Sequence, residues 1–276
     1  MLTKTCLPLR FFVLSLLLLP AWLCSQSPVL APPDARSRAL GGAGVTATTT
    51  RAVWQNPAGL AGVRGLRAGL HYQQRYGLDE LGVAAAHLSL RRFGVQVVSL
   101  GFAGYAEQRV GVAYGRPLSE RLRVGLQLGL LARRLHGTAA RQDVLAGVGA
   151  QYVLTDALHL GATYTFSGDF DRYPHRWRAG VGYALSPRVT LLGEVEVRAP
   201  ELAGTRFGAV YRPDERVHIL LGAAPLARQV TFGLTFRPTA RVALTATSAA
   251  HAALGLSPAI GAEFDEGEAL PRKQTE

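Results

Sequence analysis

From about residue 66 onward the chain repeats one pattern, stretches of eight to twelve residues in which apolar and small or polar side chains alternate, broken by polar turns. A period of two marks strands with two unlike faces. In the clearest case Leu122, Val124, Leu126, Leu128 and Leu130 point one way, and Arg121, Arg123, Gly125, Gln127 and Gly129 the other. Trp177, Ala179, Val181 and Tyr183 likewise oppose Arg176, Arg178, Gly180 and Gly182. About fourteen segments can be read, starting near residues 66, 80, 93, 107, 121, 142, 157, 175, 188, 204, 216, 227, 240 and 252. Outside the first two dozen residues no apolar run approaches the roughly 20 residues of a spanning helix. If this chain crosses a membrane, it does so with strands. An even strand count and segments of about 9–11 residues suit that.

The expected fold is therefore all-β: a transmembrane antiparallel β-barrel of about fourteen strands over residues 66–264. A soluble β-sandwich would also alternate, but its outer face would be rich in Lys, Glu and Thr. Here the second face is glycine with scattered arginine, and only 18% of residues are charged. The connections agree with a barrel. Every second one reads as a tight turn, such as Arg91-Arg92, Thr155-Asp156 and Arg237-Pro238-Thr239. The longest others are expected at Arg133–Arg141, Gly168–Pro174 and Arg198–Gly204. Outer-membrane barrels keep short turns in the periplasm and longer loops outside, which places both termini in the periplasm. Aromatics near strand ends, among them Tyr72, Tyr152, Tyr183 and Tyr211, suit interfacial girdles.

Residues 1–25 read as a signal peptide. Lys4 and Arg10 precede an apolar core, and cleavage is expected after Ser25. A lipoprotein site at Cys24 is the alternative, with bulky Trp22 and Leu23 against it. Both cysteines, Cys6 and Cys24, lie in this leader, so the mature chain would hold no disulfide or cysteine metal site. It would carry 28 basic and 19 acidic groups, a net charge of +9. Arginines scattered over turns and strand faces argue against nucleic acid as the partner.

Residues 26–65 form a lead-in followed by Gly41-Gly42-Ala43 and Asn56-Pro57-Ala58-Gly59. Asn56 before a proline is an extended or turn position, and Gly59 lets the chain swing into the first strand. This order of motifs, directly before the first strand, resembles the amino-terminal hatch of outer-membrane barrels of the FadL and PorV/PorQ-like group. The resemblance implies a segment that plugs the barrel from the periplasmic side. Where an acidic pair often precedes the Asn-Pro motif, this chain has Thr49-Thr50, which puts a hatch salt bridge there in doubt. Residues 265–276 would be a periplasmic tail.

Glycine recurs on the polar face at Gly69, Gly82, Gly94, Gly111, Gly125, Gly129, Gly147, Gly149, Gly161, Gly180, Gly182, Gly222, Gly233 and Gly255. A strand glycine marks close approach of another backbone or a bend. These positions either leave room for the hatch or serve barrel curvature. Arg67, Arg109, Arg123, Arg176 and Arg178 share that phase. They could make a lumen for anionic groups, or pair with Glu194, Glu196 and Asp143.

Catalysis is not expected. The seven histidines are dispersed and none shows a metal-ligand spacing. No Gly-x-Ser-x-Gly elbow occurs, which leaves only Ser89 or Ser99 with His87 as a conceivable pair. No cofactor is implied. The group resemblance implies two roles. One is a secretion-associated (type IX) or surface-protein-handling component with secreted cargo as partner, favoured by the short outer loops. The other is a FadL-like channel for passive uptake of hydrophobic small molecules such as fatty acids. Outer-membrane lipid is the surrounding partner in both.

Overall fold

The computed structural model describes residues 28–48, 50–169, 173, 175–198 and 201–266. The expected signal peptide, Thr49 and the tail beyond Glu266 lie outside the described residues.

Fourteen antiparallel strands close into a barrel. They are β1 (Leu66–Gln74), β2 (Gly82–Leu90), β3 (Phe93–Phe102), β4 (Tyr105–Pro117), β5 (Leu122–Leu135), β6 (Arg141–Val153) and β7 (Leu158–Ser167). The second half continues with β8 (Arg176–Ser186), β9 (Val189–Arg198), β10 (Glu201–Tyr211), β11 (Val217–Ala224), β12 (Gln229–Phe236), β13 (Val242–His251) and β14 (Gly255–Asp265). Each strand pairs with its sequence neighbours, and β1 closes on β14 from Arg67↔Asp265 to Gln73↔Ala259.

The two faces sort as the alternation requires. Leu126, Leu128 and Leu130 are 60%, 59% and 56% exposed, while Gly125 between β4 and β6 is buried. Phe93, Val112, Trp177, Leu221, Phe232 and Ile260 extend the outward apolar belt around the wall. Water-soluble monomers rarely expose contiguous apolar patches beyond a few hundred Å². A belt encircling the wall is the surface of a membrane-spanning barrel.

The structure corrects three local expectations. The long connection at Arg198–Gly204 is mostly ladder, because Glu201 pairs with Arg198 and Leu202 with Val197, with a register shift before Gly204. Pro200 and the polar residues around it hide strand character in the sequence. Gly82 belongs to the outer face: a Cβ there would meet the Tyr72 hydroxyl at 2.8 Å. The preceding 3-10 turn Asp79–Leu81 moves the strand start and flips the phase. Gly255 follows a turn and opens β14 with φ +86° and nothing near it, so the strand begins there rather than at residue 252.

Ahead of β1, residues 28–48 and 50–63 lie inside the barrel. Helix α1 (Ala35–Ala39) is capped by Asp34, whose Oδ1 accepts the Ser37 N–H at 2.7 Å, a standard N-cap. It ends where Gly41 and Gly42 take φ of +65° and +86°, with the Gly42 N–H donating to the Ser37 carbonyl at 2.8 Å. Left-handed backbone there suits only glycine well. A single turn, α2 (Ala52–Gln55), leads to Asn56 and a 3-10 turn over Pro57–Gly62 that enters β1. Helix α1 packs against β11–β14, and the 3-10 turn against β4–β6.

Candidate functional site

The inner segment and the wall around it form the site, and the motif residues sit at its centre. Gly41, Ala43, Asn56, Pro57, Ala58 and Gly59 are buried, and Gly42 is half-buried. The Asn56 Oδ1 accepts the Ala58 N–H at 3.0 Å, a local cap for the 3-10 turn. Its Nδ2 lies 2.7 Å from the Val45 carbonyl and 3.1 Å from that of Ala150 on β6. A buried amide satisfied in this way welds two loops of the inner segment to the barrel wall. Gln151 adds to the weld by donating to the carbonyls of Val45 at 3.0 Å and Ala47 at 2.9 Å.

Glycines of the wall are where the two backbones touch. A Cβ on Gly125 would lie 2.3 Å from the Pro57 carbonyl carbon, and one on Gly222 would lie 2.2 Å from the Gly41 nitrogen. A Cβ at position 161 would meet the Val45 carbonyl in the same way, whereas at 149, 208 and 233 it would meet the side chains of Asn56, Leu40 and Ala39. Of the other candidates, Gly180 approaches Val45 as well as Gly193, and Gly182 approaches Thr46. Gly129 differs: a Cβ there would press on Val110 of β4, so that glycine serves strand-to-strand packing.

The five candidate arginines point inward, and each touches the inner segment. Arg67 donates to Asp265 at 3.0 Å across the β1–β14 seam and to the Thr48 carbonyl at 3.3 Å. Arg109 donates to Gln96 and lies over the Trp54 ring, 5.8 Å from its centroid. Arg123 flanks Gly62, and Arg176 donates to the Leu30 carbonyl at 3.2 Å. Arg178 donates to Glu194 at 2.6 Å and to the Gln55 carbonyl at 3.2 Å. Glu194 then accepts the backbone N–H groups of Gly44 and Val45, both at 3.0 Å, through its second oxygen. Arg67, Arg176 and Arg178 are thereby committed to holding chain, while Arg109 keeps a buried Nε without a partner.

Sequence reasoning missed part of this network. Arg206 on β10 bridges Glu194 and Glu196, and Arg198 also binds Glu196. Arg198 opens the stretch read as a loop and Arg206 lies just beyond it, so the interrupted alternation hid their common inward phase. Within the inner segment, burial and then the nearby Arg51 lower Arg36 to about 10, which still leaves it cationic at neutral pH. His71 and His87, one strand apart, stack with centroids 5.4 Å apart. His87 accepts the Trp54 Nε1–H at 3.2 Å, so it is engaged with the inner segment rather than with a serine. Among the described residues no cluster of three or more His, Cys, Asp or Glu could hold a metal.

A second sector of the lumen is rich in apolar side chains. Val98 and Leu100 of β3, Leu131 of β5 and Leu145 of β6 point inward in the half of the barrel away from the tight turns. They lie on either side of the buried Arg109 and Glu107 of β4, which pair with Val98 and Leu100. Val29, fully buried, belongs to the same cluster with Leu30, Tyr105 and Tyr173, and its 3-10 turn packs against β3 and β4. Only the inward phase of the strands signals this sector in the sequence, because the same strands carry apolar residues on both faces there.

With that arrangement in view, the chain can be set beside solved structures. The fold is that of hydrocarbon channels. It aligns to the CymD monoaromatic hydrocarbon channel at 12% identity and TM-score 0.65, over 86% of this chain and 98% of that one. The Ralstonia pickettii toluene transporter TbuX gives 11% identity and TM-score 0.65, over 86% and 99%. A Pseudomonas aeruginosa FadL homologue gives 9% identity and TM-score 0.58, over 84% and 98%. No protein-family model and no curated protein matches the sequence. At such identities the likeness is one of architecture.

The contact between inner segment and wall can be tested by a covalent staple. The Thr46 Cβ lies 3.5 Å from where a Cβ would stand on Gly182, at the lower end of the roughly 3.5–4.5 Å that a disulfide spans. Thr46→Cys with Gly182→Cys is expected to crosslink under mild oxidation in intact membranes, seen as a mobility shift that reductant reverses. A pair that stays reduced while the barrel is folded would place the segment elsewhere.

Proposed function

We propose that this protein is a non-enzymatic bacterial outer-membrane channel for passive uptake of hydrophobic small molecules, with residues 28–63 as its plug and both termini in the periplasm. The observation that carries the reading is the apolar inner wall of Val98, Leu100, Leu131 and Leu145 with Val29 seated in it. Pores for hydrophilic solutes line their lumen with polar groups and water. A greasy compartment holding the chain's own valine suits an oily ligand that competes for the same surface. Four inward arginines, Arg67, Arg176, Arg178 and Arg206, are taken up by the plug and by Glu194 and Glu196, which favours an uncharged ligand over an anionic one. The structural neighbours point the same way, since they are named for hydrocarbons and toluene. They give no support to the secretion-associated role expected from the short outer loops, and the hydrophobic channel is the better reading.

The test is uptake of a radiolabelled monoaromatic hydrocarbon by cells with and without the protein. Burying a leucine side chain contributes about 1.5–3 kcal/mol, so Leu131→Gln is expected to lower uptake about tenfold while the barrel still folds. Unchanged uptake in a deletion strain, with loss of surface proteins instead, would return the secretion role to favour.

A further inference from the structure

We infer that the outer wall over β4–β8 carries a binding site for one anionic glycerophospholipid of the periplasmic leaflet, its headgroup on Arg116 and one acyl chain in a trough that climbs the barrel. The inference uses the orientation given under the proposed function, with tight turns in the periplasm, but not the identity of the transported ligand.

The trough follows from register. One outward row runs across the strands through Arg116, Val124, Ala150, Ala162 and Ala179, each paired with the next. The row above it runs through Tyr114, Leu126, Val148, Tyr164 and Trp177. The row below carries Leu122, Tyr152, Leu160 and Val181. Alanines between two rows of large side chains leave an apolar depression, and the wall there opens into a groove of about 580 Å³. Tyr164 and Trp177 stiffen its upper lip, with ring centroids 4.1 Å apart. Small outward residues also occur elsewhere, as at Ala84, Ala246 and Ala262, but those positions lie outside this groove with its arginine at the foot.

The direction of the trough decides what it fits. Arg116 is one residue from the turn end of β4, Val124 two from that of β5, and Ala150 three from that of β6. Ala162 is four residues in and Ala179 seven. The small-residue row therefore starts at the rim and rises into the wall, as hydrogen-bonded rows do when strands tilt. Four strand spacings of about 4.8 Å give it a length of roughly 19 Å. A headgroup held at the rim would send its chain along this path.

The foot of the trough has the matching charge. Arg116 is exposed there, and Arg91, Arg92 and Arg121 are exposed on the same and the adjacent turn, against Glu120 and Asp156. The backbone ties the two turns together, with the Gly115 N–H donating to the Arg92 carbonyl at 2.9 Å. Arginine near an anionic leaflet contributes about 1 kcal/mol per residue, and its planar fork suits a phosphate bidentately. The site takes phosphate and hydrocarbon together, which is the chemistry of a phospholipid.

Trp177 on the lip is a built-in reporter, because Trp54 is buried inside the lumen. The Trp22→Phe protein would be placed in vesicles of phosphatidylcholine and phosphatidylglycerol, with bromines on the chains of one lipid at a time. Quenching of Trp177 is expected to give phosphatidylglycerol an affinity about fivefold above phosphatidylcholine, the equivalent of one arginine contact. Arg116→Gln should bring the ratio to about one. Ala162→Leu, which closes the trough and leaves the rim charge alone, should do the same. Equal quenching by the two lipids in the parent protein overturns the proposal. So does a preference that survives both substitutions, which would mean diffuse attraction to the rim. Neither result bears on hydrocarbon uptake, so the two readings fail separately.

Discussion

Glu194→Ala is expected to release the plug and turn a silent barrel into a conducting one. Glu194 is the acceptor for Arg178, Arg206 and two backbone N–H groups of the plug, at 2.6–3.0 Å. Arg178 and Glu194 are almost completely shielded from solvent, at 2% and 1% side-chain exposure. Removing one partner of such a pair destabilises by about 3–5 kcal/mol, because the other charge stays buried without compensation. The two orphaned N–H groups add about 1–3 kcal/mol each if the segment stays in place. The plug can avoid these penalties by leaving, whereas the wall is held by ladder bonds on every strand. The expected readout is a steady single-channel current, with the Thr46–Gly182 crosslink lost and the heat-modifiable barrel band retained. Glu194→Gln, which keeps an acceptor oxygen but no charge, should fall between. A silent channel with full crosslinking in the alanine variant would mean that the anchor lies elsewhere.

Gly125→Ala is expected to have an effect of similar size from a single methyl group. The atoms it would strike, the Pro57 carbonyl carbon at 2.3 Å, the Ala58 nitrogen at 2.4 Å and the Pro57 carbonyl oxygen at 2.6 Å, are all backbone. None can swing aside as a side chain would. Overpacking costs about 1–3 kcal/mol where neighbours can adjust and more where they cannot. The Pro57–Gly62 turn must shift bodily, taking with it the Asn56 bonds that join the plug to β6. A fall in crosslink yield and a lower thermal midpoint should follow. Gly193→Ala is the matched control: its methyl would find only Val181 Cγ1, at 3.6 Å, an ordinary contact. If the two substitutions behaved alike, the glycines would be serving wall curvature and not the plug.

The wall was legible in the sequence because a period of two is a strong signal once repeated. Both the count of fourteen and most strand starts followed from it. The misses have physical causes. At Arg198–Gly204 a proline and a bulge interrupt the alternation, and the ladder continues regardless because β9 already presents a paired edge. Gly82 and Gly255 each open a strand directly after a turn, and there the turn geometry, not the alternation, sets the start. The inner site was half legible. The inward phase of Arg178 and of the wall glycines could be read strand by strand. Which atoms they meet depends on how the inner segment folds within the bore, and no periodicity specifies that. The stacked His71 and His87 show the limit most clearly. They lie 16 residues apart in chain numbering and face each other only through the β1–β2 register.

The anchors of the plug have a consequence for biogenesis. Gly44 binds a carboxylate 150 residues downstream, and Gly41 binds a hydroxyl 190 residues downstream. Contacts so distant along the chain form late, after the intervening loop entropy has been overcome. The segment that precedes the strands in the chain is thus among the last to settle. While the staves of the cylinder are being set, this segment has no seat to occupy, and sealing of the bore belongs to the final stage of assembly.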